Sequence, residues 1–133
     1  MKVVPEQGRL EDATRVTAPD GSTVRPLGRI ASHGSFAHFR LEAGETSRAV
    51  SHRTVQEIWY VVGGAGQMWR RHDGDEDTVD LRPGVWLTIP LGTTFQFRAG
   101  GEPLEVVAVT MPPWPVDSTD EATIGHGPWR PTR

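Results

Sequence analysis

The sequence predicts an all-β fold enclosing a single core. From residue 35 to residue 111 it reads as short strand-like runs divided by turn signals. No long stretch carries helical periodicity, and a chain of 133 residues suits one domain. Many short strands at such spacing form a sandwich or a barrel, and a barrel hides its edges.

The runs follow in order. SFAHFRLEAG (35 to 44) places Ala37, Phe39 and Leu41 on one face, which turns His38 outward with Arg40. A short segment near Val50 comes next, then EIWYVVGGAGQMWRR (57 to 71), DTVDLRPG (77 to 84), VWLTIP (85 to 90), TFQFRAGG (94 to 101) and PLEVVAVTMPP (103 to 113). Gly44, Gly63, Gly64, Asp73, Gly74, Pro83, Gly84, Gly92, Gly100 and Gly101 stand between the runs, where turns are needed. Residues 1–34, rich in Thr, Arg, Gly and Pro, read as an N-terminal arm, and residues 35–113 as the barrel. The tail, 114–133, is punctuated by proline but carries Trp114 and Trp129. Two large apolar rings are costly to leave in water, so the tail is expected to pack on the barrel or on a second subunit.

Composition narrows the function. There is no cysteine, which removes disulfides, thiolate metal sites and a cysteine nucleophile. Lys and Arg number 14 against 17 for Asp and Glu, and the basic residues are scattered. Nucleic-acid binding calls for a basic stripe, so none is expected. The first residues lack the apolar stretch of a secretory signal and no run is long enough to cross a bilayer, so a cytoplasmic protein with no membrane partner is expected.

The chemistry-bearing stretch is SHRTVQEIWYVVGGAG, residues 51 to 66. If the strands flanking RTVQ are antiparallel neighbours, His52 and Glu57 face each other at the loop end, able to bond each other or share a ligand. Alternation puts Glu57, Trp59 and Val61 on one face and Val50 and His52 on the matching one.

Two spaced patterns carry a resemblance. Gly44, His52, Glu57 and Gly64 match a glycine, five residues, His-x-His, three or four residues, Glu, six residues and Gly. Gly84, Pro90 and Gly92 match the start of Gly, five residues, Pro-x-Gly, two residues, His and a later Asn. Over roughly residues 35 to 110 the chain thus resembles the cupin superfamily, in particular its small single-domain bacterial members. The resemblance implies an antiparallel jelly-roll barrel, commonly a homodimer. It also marks departures: Val50, Phe95 and Ala99 stand where the motifs have His, His and Asn. Two of four family metal ligands remain.

The leading expectation is therefore a small-molecule-binding barrel without a cofactor. His52 and Glu57 would be its acid and base in an isomerisation, epimerisation or lyase step. Val50, Trp59, Gln67, Trp69, Phe95 and Phe97 would line the pocket for a partly apolar or aromatic ligand. Tyr60, Met68 and Arg70 are expected on the opposite faces. One alternative is a divalent metal (Fe, Mn, Ni, Cu or Zn) on His52 and Glu57 with a third ligand from elsewhere, His33 being the candidate. Another is a non-catalytic ligand sensor. His33, His72 and His126 otherwise read as surface histidines, and DGDED, which lacks the later glutamate of a calcium loop, as a solvated turn.

Overall fold

The computed structural model describes residues 3–115 and 120–133. Apart from one 3-10 turn at Leu10–Asp12, its regular structure is β. The strands are β1 (Val16–Thr17), β2 (Thr23–Ile30), β3 (Gly34–Leu41), β4 (Val50–His52), β5 (Gln56–Gly63) and β6 (Gly66–His72), followed by β7 (Asp75–Leu81), β8 (Trp86–Ile89), β9 (Thr94–Ala99), β10 (Leu104–Met111) and β11 (Ala122–Ile124). They form two antiparallel sheets, ordered β1-β2-β3-β10-β5-β8 and β11-β4-β9-β6-β7. This is the jelly-roll barrel expected. No helix among the described residues is long and apolar enough to cross a membrane.

Alternation builds the core. On β5, Glu57, Trp59 and Val61 are buried while Ile58, Tyr60 and Val62 are exposed. On β10, Leu104, Val106, Ala108 and Thr110 turn inward. The second sheet answers with Val50, Met68, Leu81, Phe95 and Phe97. Each such large side chain removed from water contributes about 1.5–3 kcal/mol.

The barrel begins earlier than the sequence reading placed it. Strand β2, inside the segment read as an arm, pairs with β3 from Thr23 to Ile30. Its Pro26 and Gly28 disguise it, and the register shifts between Pro26 and Arg29, an irregularity of the kind that accommodates proline. The tail packs on the chain's own barrel: β11 pairs with β4, and Gln96 bonds the backbone N–H and C=O of Trp129.

The link from β5 to β6 decides which residues face inward. Gly64 has φ +76, and a Cβ there would lie 1.9 Å from the Pro103 carbonyl oxygen; at Gly66 a Cβ would lie 2.1 Å from that of Arg98. Only glycine permits this close crossing between sheets. The crossing also changes parity. Odd-numbered residues face inward on β5, whereas on β6 the inward position is Met68, fully buried in the core, with Arg70 on the same side. Gln67 and Trp69 point to the other face, contrary to expectation. There Gln67 bonds Arg98 and Asp80, and Trp69 donates to Glu76 beneath the Arg71 guanidinium.

Candidate functional site

Strands β4 and β5 lie in different sheets, so His52 and Glu57 are not a cross-strand pair. The loop 53–55 carries the chain across one end of the barrel, and the two side chains meet from opposite walls. His52 Nδ1 lies 3.0 Å from Glu57 Oε2, and the side chains are only 8% and 2% exposed. The contact is close but misdirected, since Nδ1 has no aligned hydrogen-bond partner. Catalytic hydrogen bonds are often poorly aligned before a substrate binds. The other Glu57 oxygen accepts from the Trp59 indole N–H at 3.3 Å.

Both side chains open onto a cavity of about 270 Å³. Val50, Trp59 and Phe95 line it, together with Phe39 and Trp114. Phe97 does not; it stands behind, edge-on to Trp59 with centroids 4.9 Å apart. The His52 ring is held between Phe95 and Trp114, edge-on to each at 5.3 and 5.0 Å. Thr110 lies directly opposite Glu57 on β10, and Ser35 opposite Thr110 on β3. Their hydroxyls bond each other at 2.5 Å, and Ser35 also accepts the Trp114 backbone N–H. The result is a polar row, Ser35, Thr110 and Glu57, along one end of an aromatic pocket. Among the described residues, Arg29 is the one Lys or Arg side chain in the wall, and it donates to the Trp114 carbonyl.

Sequence reasoning missed Asp20, which also lines this cavity from the turn between β1 and β2. Its residue is 6% exposed, and burial pushes its carboxyl pKa up despite hydrogen bonds from Ser22; the Glu57 charge pushes the same way. The only sequence signal is the turn-forming PDGS.

The donors that a metal would need are few among the described residues. Among the described residues no three His, Cys, Asp or Glu side chains are grouped to hold one. His33 is exposed in the β2–β3 turn, bonded to the Ala31 carbonyl, and is not part of the cavity wall. Val50 and Phe95, at the motif's histidine positions, pair directly across β4 and β9 and fill that space with carbon. The remaining histidines lie elsewhere: His38 is buried on the outer face against Glu105, His72 bonds Thr93 and is half-buried rather than fully solvated, and His126 is exposed.

No family model and no curated protein matches the chain. Solved structures do. Pac13 from Streptomyces, described as a nucleoside dehydratase and also solved with uridine, superposes with a TM-score of 0.71 at 15% identity over 92% of each chain. CapF, a capsular polysaccharide assembling protein of Staphylococcus aureus, gives 0.68 at 16% identity over 84% of this chain. The coconut allergen cocosin gives 0.64 at 22% identity over 83%. This chain spans only about a third of CapF and of cocosin, 34% and 31%. These likenesses establish a cupin fold.

Proposed function

We propose that the protein is a metal-independent enzyme that moves a proton at a carbon next to a carbonyl group in a small, uncharged, partly apolar molecule. The observation carrying this reading is the His52–Glu57 contact, buried at 3.0 Å on the wall of an otherwise aromatic cavity. An isolated carboxylate in such a place costs several kcal/mol, and an imidazole beside it offsets that cost. With its Nδ1 proton turned to Glu57, His52 presents Nε2 as the base. The imidazolium formed on accepting a proton is then stabilised by the carboxylate.

The walls suit the substrate class. Two carboxyl groups, Asp20 and Glu57, face the cavity, while Arg29 is engaged with the Trp114 carbonyl. Phosphorylated or carboxylated molecules would meet the Glu57 carboxylate there, whereas neutral hydroxylated ones find Ser35 and Thr110 as hydrogen-bonding partners. Trp59, Phe95 and Trp114 offer faces and edges to a flat ring. Pac13, of matching length, is described as acting on a nucleoside, which favours a ring-bearing neutral substrate.

The test is deuterium exchange. The aldol of benzaldehyde and acetone, neutral and aromatic, is incubated with the protein in heavy water, and label at the carbon beside the carbonyl is followed by NMR. Expected is incorporation that His52→Ala and Glu57→Gln each slow by about a hundredfold or more, the usual scale of general-base catalysis. A folded wild-type protein that incorporates no more label than buffer overturns the proposal and favours a non-catalytic binding role.

A further inference from the structure

We propose that Asp20 is the proton donor of this pocket. It would protonate a hydroxyl that leaves the substrate as water while His52 takes a proton from the neighbouring carbon. The inference rests on the proton-transfer reading above and narrows it to dehydration of a β-hydroxy carbonyl compound.

The placement is the argument. Asp20 comes from the β1–β2 turn, far in sequence from both motifs, yet it shares one cavity with His52 and Glu57. Its Oδ1 is committed to the turn, accepting the Ser22 backbone N–H at 2.9 Å and the Ser22 hydroxyl at 2.6 Å. A proton on the carboxyl therefore belongs on Oδ2. The charged groups whose fields reach it are Glu57 from β5 and His52 from β4. Arg48 also adjoins the turn: its backbone N–H bonds the Asp20 carbonyl and its guanidinium the Pro19 carbonyl. Two carboxyl groups in one apolar cavity are not both ionised cheaply. Glu57 is the one beside an imidazole, and burial holds the Asp20 carboxyl towards its neutral form. Titratable groups whose surroundings separate them in this way are what acid–base catalysis requires.

The step balances without a further reactant. The C–H electron pair becomes the new C=C bond as His52 takes the proton, and the C–O pair leaves with oxygen. The Asp20 proton joins that oxygen to make water. Asp20 is left as carboxylate and His52 as imidazolium, and a proton returned through solvent resets both.

The competing role for Asp20 is a turn cap, and Asp20→Asn separates the two. An amide oxygen still accepts both Ser22 bonds, but the amide delivers no proton. With the benzaldehyde–acetone aldol, Asp20→Asn is expected to melt like the wild type and to lose far less of its deuterium exchange than of its dehydration. Formation of the conjugated enone, read by its ultraviolet absorbance, is expected to fall by about a hundredfold or more. Dehydration by Asp20→Asn within about twofold of wild type overturns this inference while leaving the exchange reading intact. So does an Asp20 carboxyl carbon that titrates in the ordinary aspartate range by NMR. Wild-type protein inert in both exchange and dehydration overturns the proposed function and this inference together.

Discussion

Trp114 meets His52 edge-on, ring centroids 5.0 Å apart and planes at 80°. The tryptophan follows β10, and its backbone N–H is fixed by the Ser35 hydroxyl and its carbonyl by Arg29. A residue outside both sequence motifs thus supplies one wall of the pocket and half of the clamp on the imidazole.

Removing that wall loosens the imidazole before it loosens the fold. Trp114 is half-buried, so Trp114→Ala is expected to cost about 1–2 kcal/mol, less than a fully buried ring. The His52 ring signals should shift markedly in NMR spectra, because a neighbouring ring current is gone, while signals from β7 on the far sheet edge stay in place. A spectrum with His52 unmoved would contradict the packing described here.

Glu121 governs the same site from below. Its buried carboxylate accepts the backbone N–H groups of Arg53 and Thr54 and the Thr54 hydroxyl, tying the tail to the loop between His52 and Glu57. Glu121→Gln turns an amide NH2 towards groups that also donate. Leaving these part-buried donors without their carboxylate costs about 1–2 kcal/mol. The expected result is a melting temperature several degrees lower, with backbone amide exchange faster at Thr54 than in the core of β10. Equal protection of Thr54 in both proteins would show that Glu121 does not hold the loop.

What could be read from the sequence follows from what each feature depends on. The β5 face of Glu57, Trp59 and Val61 was legible because strand alternation is local. Gln67 and Trp69 were misplaced because their direction depends on the crossing at Gly64 to Gly66 and on which sheet receives the chain, which no local pattern encodes, whereas Phe97 does face inward but stands behind Trp59 rather than on the cavity wall. The spacing of His52 and Glu57 foretold their meeting but not its geometry, since a short loop can join neighbours in one sheet or bridge two. Asp20 escaped notice because a turn aspartate is ordinary until tertiary packing seals it from water.

The metal-independent reading is itself testable by adding the donors that Val50 and Phe95 replace. Val50 and Phe95 are directly paired on β4 and β9, both at most 2% exposed, and Phe95 already touches the His52 ring. A Val50→His, Phe95→His double variant brings two more imidazoles to the wall that holds His52, facing Glu57 on the opposite wall, a donor set that zinc or nickel accepts. Burying two polar rings in place of carbon should destabilise the metal-free variant by about 2–4 kcal/mol. Added metal that binds only the folded form recovers stability in proportion to the logarithm of its concentration over Kd. The double variant is therefore expected to bind zinc near one-to-one by calorimetry and to melt higher with it, whereas the wild type does neither. Equal zinc binding by the wild type would mean that His52 and Glu57 find further donors, and the metal-independent reading would fall. A folded double variant that ignores zinc would instead mean that the barrel wall, rather than the missing imidazoles, keeps metal out.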